Sequence, residues 1–113
     1  MQKEIRIGIA CMARKTYDFE AALEIYRKTV LDLHRIPNVH WSVIETLVIE
    51  PADAYGAAEI LAREQLDGLV LVTGTFHLGH LAMILKKKVN IPTLLWAFPE
   101  LPYNGGKIRL NSV

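Results

Sequence analysis

Two histidines three residues apart, His77 and His80, sit at the end of the run LVLVTGTFHLGH over residues 69–80. On a helix that spacing puts both imidazoles on one side, where they could share a metal ion. A stable metal site needs a third or fourth ligand, and no Asp, Glu or Cys lies nearby in sequence. Helix capping, or hydrogen bonds to a ligand held mainly by other residues, are the competing roles. An imidazole near a helix N-terminus tends to stay neutral, which suits bonding to hydroxyl groups such as those of a sugar. Phe76 beside them either stacks on a ligand ring or packs against the body of the fold.

The other chemistry-bearing residues are sparse. Gly74 and Gly79 form neither G-x-G-x-x-G nor a phosphate loop ending in Gly-Lys-Ser/Thr, so nucleotide binding has little support. Cys11 closes an apolar alternation and reads as a small buried hydrophobe rather than a nucleophile. Arg14, in a loop between a strand and a helix, either orients a polar ligand or is solvated. Glu45 and Glu50 read as solvated.

These residues must be positioned by a scaffold, and composition bounds what it can be. The 113 residues are 51% hydrophobic and 22% charged with a formal net charge of +1, which fits one globular domain. No basic field for nucleic acid or membrane surfaces exists beyond Lys86-Lys87-Lys88, and that triplet suits the end of a helix. The lone cysteine excludes an internal disulfide and a cysteine-based zinc site. With no signal peptide and no membrane-spanning apolar run, a cytoplasmic location is expected.

Ile5, Ile7, Ile9 and Cys11 alternate with Arg6, Gly8 and Ala10 in a first strand, whose small residues let a helix pack closely. A polar loop is expected over residues 12–17, then an amphipathic helix carrying Phe19, Leu23, Tyr26, Val30 and Leu33 on one face, capped by Thr16 or Asp18. Val39, Trp41 and Val43 mark a second strand near a sheet edge. Pro51 suits the first turn of a second helix that runs to about Gln65, with Ala54, Ala58, Leu61 and Ala62 inward. Residues 69–73 form a buried third strand, a helix with Leu78, Leu81, Ala82 and Leu85 on one face follows, and residues 93–97, TLLWA, are a fourth strand.

This alternation predicts right-handed βαβ units and a three-layer flavodoxin-like or Rossmann-like α/β domain with a parallel sheet of order 2-1-3-4. The switch point of that order lies between strands 1 and 3. Arg14, Lys15, Thr75, Phe76 and His77 are therefore expected around one crevice, with Glu100 on its rim. After strand 4 comes a turn-rich loop and a short Ile108-Arg109-Leu110, which covers an apolar strand only in part. Residues 1–113 are thus expected to be a single domain at the start of a longer chain, or one whose edge another subunit covers.

Three segments, KEIRIGIACMARKTYDFE, LVLVTGTFHLGHLAMIL and above all LLWAFPELPYNGGKIRLNS, resemble the amino-terminal domain of the L-fucose isomerase and L-arabinose isomerase superfamily. The resemblance spans essentially all 113 residues. It implies a substrate-recognition and oligomerisation domain of an aldose–ketose isomerase, without catalytic residues of its own. Later domains would bind manganese and move the proton, and no cofactor would sit here. It also implies sugar contact by Arg14, Phe76 and His77 within a homo-oligomer. Where the fucose enzymes place a tryptophan after strand 3, this chain reads Thr75-Phe76-His77, closer to the arabinose type. From a different class, a stand-alone flavodoxin-like module binding a sugar or phosphorylated ligand in the same crevice is the alternative.

Overall fold

The computed structural model describes residues 4–13, 19–73 and 79–97, with Phe19, Gly79, His80 and Ala97 described in backbone only. Strands and helices alternate as β1 (Ile5–Met12), α1 (Phe19–Leu33), β2 (Val39–Val43), α2 (Pro51–Arg63), β3 (Gly68–Thr73), α3 (Gly79–Val89) and β4 (Thr93–Ala97). Every strand pair is parallel, and the order is β2-β1-β3-β4. This is the flavodoxin-like α/β arrangement that the alternation predicts.

Period-two alternation divides β1 between two cores. Ile9 and Cys11 face α1, where they pack with Ala22, Tyr26 and Val72. Ala10 and Met12 face α2 and α3, where Ala54, Ala57, Ala58, Leu61, Leu69, Leu71, Leu81 and Leu85 complete the larger core. Gly8 shows why the small residues matter. A Cβ there would lie 2.7 Å from Leu66 Cδ1 and 2.9 Å from Leu61 Cδ2, so a side chain would hold α2 off the sheet.

Several boundaries differ from the expectation, each for a local reason. Met12 belongs to β1 rather than to the loop, and it is fully buried because it pairs with Thr73 on one side and bridges Val48 on the other. Helix α2 stops at Arg63, where Arg6 holds the next residues at the start of β1: its Nε donates to Gln65 O at 3.0 Å and its Nη2 meets Glu64 Oε2 at 3.2 Å. Ala57, not Ala62, joins the inward face of α2; Ala62 is exposed.

The turns into β2 and β4 use the same device. Asn38 and Asn90 hold positive φ angles of 64° and 47°, a left-handed conformation that asparagine tolerates better than most residues. Asn90 N–H also donates to Lys86 O at 2.9 Å and so closes α3.

Candidate functional site

The carboxyl ends of the strands lie level. Val48 bridges Met12, Met12 pairs with Thr73, and Thr73 pairs with Ala97, so four backbone segments form one row. At a strand spacing of about 4.8 Å the whole row is roughly 15 Å long. The chain leaves β1 toward α1 on one face and leaves β3 toward α3 on the other. A parting of crossovers between adjacent strands is the switch point at which open α/β sheets bind their ligands.

Local sequence accounts for each part of the row. The run GLVLVT of β3 is buried or half-buried throughout, as a central parallel strand must be. Beyond β2 the chain steps away from β1 and then returns. Val48 N–H donates to Cys11 O at 2.8 Å, and Ala13 N–H donates to Val48 O at 2.9 Å. The return buries Leu47 and Val48 and sets the start of α2 next to the row. There the Asp53 carboxylate accepts from the backbone N–H of Glu50 at 2.9 Å and of Ile49 at 3.2 Å, fixing the entry to the helix.

The candidate contacts Arg14, Thr75, Phe76 and His77 lie outside the described residues, as do Lys15 and Glu100. The helix-capping candidates Thr16 and Asp18, and Ile108-Arg109-Leu110, lie outside them too. The residues that flank the two expected contact segments are described. Ala13 follows Met12, which is paired with Thr73, so the segment after Ala13 and the segment after Thr73 leave from adjacent positions. Thr73 is half-buried, and its Oγ1 donates to Trp96 O at 3.5 Å, tying the ends of β3 and β4. His80 stands in the first turn of α3.

Cys11 is wholly buried on the α1 side with its Sγ 3.9 Å from Met12 O, in keeping with a packing role. Glu45 and Glu50 are exposed. Among the described residues, no three His, Cys, Asp or Glu side chains are grouped so that they could hold a metal ion. Among them, too, no helix is long and apolar enough to cross a membrane.

Two features escaped the sequence reading. The first is the Tyr26 hydroxyl, 2.7 Å from Ile44 O and 3.1 Å from Ile9 O, to which it donates where β2 parts from β1. Burial, followed by the proximity of Cys11 and Glu45, pushes its pKa upward from the ordinary tyrosine value, so it remains a donor. A tyrosine on an otherwise apolar helix face was the available signal, because a buried hydroxyl needs a partner. The second is a cavity of about 380 Å³ between α1 and β2, lined by Tyr26, Arg27, Val30, Leu31, Val43 and Glu45. It lies beside the sheet edge rather than at the switch point.

The chain matches no protein-family model, no curated protein and no solved structure.

Proposed function

We propose that this chain is the amino-terminal substrate-recognition domain of an aldose–ketose isomerase similar to the L-fucose and L-arabinose isomerases, and that it performs no catalysis alone. The observation that carries the reading is the level row of Val48, Met12, Thr73 and Ala97. Met12 and Thr73, which precede the stretches holding Arg14 and Thr75-Phe76-His77 in sequence, are paired at the switch point, and that supports a shared crevice for these residues. The resemblance of those same segments to the isomerase superfamily supports a sugar as the ligand.

The chemistry then divides between domains. Arg14 and His77 offer hydrogen bonds to sugar hydroxyls, Thr75 adds a further hydroxyl partner, and Phe76 offers a flat apolar surface to the ring. Moving a proton between C1 and C2 calls for a base poised near neutral pH. That base, and the manganese of such enzymes, are assigned to domains beyond this one, in a homo-oligomer whose subunits share active sites.

The test compares the product of the uninterrupted native reading frame with the 113-residue chain. The former is expected to convert L-fucose or L-arabinose to its ketose when supplied with manganese; the latter is expected to show no turnover. In the active protein, Phe76→Ala is expected to raise KM about fivefold, the equivalent of losing ~1 kcal/mol of ring contact, with a smaller change in kcat. Ketose formation by the 113 residues alone would overturn the assignment of catalysis to other domains. A native frame that ends at Val113 would sink the isomerase reading.

A further inference from the structure

We infer that the cavity between α1 and β2 is a ligand site separate from the switch point, and that its ligand is a free α-amino acid with an apolar side chain. Its volume of about 380 Å³ falls at the small end of ligand pockets, which run to roughly 1,000 Å³. Tyr26 and Val30 form one i, i+4 column of α1, and Arg27 and Leu31 form the next. The first column is buried or half-buried. The second is exposed and shares the cavity with half-buried Val43 and exposed Glu45. Leu31 is 71% exposed, so its isobutyl group borders the cavity with little cover from the fold.

The charges select the ligand. Among the described residues the one ion pair joins Arg6 to Glu64, so the Arg27 guanidinium and the Glu45 carboxylate border the same cavity without pairing. A ligand with a single charge would be drawn to one of these groups and repelled by the other. A zwitterion satisfies both: its carboxylate meets the forked donors of Arg27, and its ammonium group donates to Glu45. The side chain of the ligand then lies on Val30, Leu31, Val43 and the ring of Tyr26. The Tyr26 hydroxyl takes no part, because it already donates to Ile44 O and Ile9 O.

The apolar wall decides which amino acid. Both charges stand at the exposed rim, and exposed ion pairs contribute little singly. Most of the affinity must therefore come from apolar surface removed from water, which glycine and the charged amino acids do not offer. Leucine, with a branched side chain to lay against two valines and a leucine, meets that need. The inference goes beyond the sugar reading and does not depend on it, since the cavity lies beside the sheet edge.

The experiment titrates the purified 113-residue protein with free L-leucine by isothermal calorimetry. A Kd of about 0.1–1 mM is expected, ordinary for a ligand this small, and no binding is expected for glycine over the same range. Arg27→Gln and Glu45→Gln, both at exposed positions, are each expected to weaken L-leucine by about fivefold or more with an unchanged circular-dichroism spectrum. Isocaproate lacks the ammonium group and isoamylamine lacks the carboxylate, and each is expected to bind at least about fivefold more weakly than L-leucine. This comparison of analogues needs no variant and decides alone if a variant fails to fold. The absence of L-leucine binding up to about 10 mM would overturn the inference. So would an affinity that neither variant changes, or glycine or either analogue binding as tightly as L-leucine.

Discussion

Single residues in the core of this domain act through close approach and through hydrogen bonds to carbonyls. Gly8→Ala would drive a methyl group into Leu66 and Leu61, whose nearest atoms are side-chain ends that can move only within a packed layer. A loss of about 1–3 kcal/mol is expected, read as a lower urea midpoint at unchanged m. Tyr26→Phe removes the donor shared by Ile44 O and Ile9 O, with an expected loss of about 1 kcal/mol near neutral pH. The sign of its pH dependence follows from the raised pKa. Above the model-peptide value of 10.0 the unfolded chain releases the phenolic proton while the folded chain keeps it. The native state then binds more protons than the unfolded state, and stability falls as pH rises. The advantage of tyrosine over phenylalanine should thus hold below about pH 10 and shrink above it, as urea titrations of both proteins at several pH values would show. The alternation of Ile5, Ile7, Ile9 and Cys11 and the close packing at Gly8 were legible in the sequence. The partners of Tyr26 and Arg6 were not, because each reaches residues far along the chain and leaves no local pattern.

At the scale of elements, the capping of α2 offers a separate check. Asp53→Ala strips the acceptor from two backbone N–H groups, those of Ile49 and Glu50. The expected cost is about 1 kcal/mol in thermal or urea unfolding, with Asp53→Asn recovering part of it. Strand β4 was legible to the residue, since Asn90-Ile91-Pro92 punctuates its start and TLLWA is dense in strand-compatible apolar residues. The inward face of α2 was less so. In PADAYGAAEILAR alanines occupy almost every direction around the helix, so composition alone does not choose Ala57 over Ala62. The return of Val48 to β1 was illegible for another reason: one bridge after a break has no two-residue period to reveal it.

For the whole molecule, the sheet is covered unequally. On one side α2 and α3 pack against each other and over the larger core; on the other, α1 serves a core built around β1 and β2 with Val72. Leu94, at the outer strand β4, is left exposed on that second side. The strand order was legible in the sequence, because it follows from alternation and right-handed crossovers, and it fixes where the switch point lies. The level of the strand ends was not, since register depends on packing between residues 61 positions apart in the chain. The proposed substrate contacts Arg14, Thr75, Phe76 and His77 lie outside the described residues, and the kinetic comparison at Phe76 tests that proposal.

The placement of β1 between β2 and β3 has a consequence for biosynthesis. A ribosome delivers the first strand before either of its neighbours exists, and one neighbour ends only at Thr73. Until then Ile9, Ala10, Cys11 and Met12, all fully buried in the finished protein, lack the cover that β3 gives them. The nascent chain must carry β1 without its β3 partner until Thr73 has been made. A holding chaperone that recognises short apolar stretches would find its first binding site at residues 5–12, and release from it would be timed by the emergence of β3.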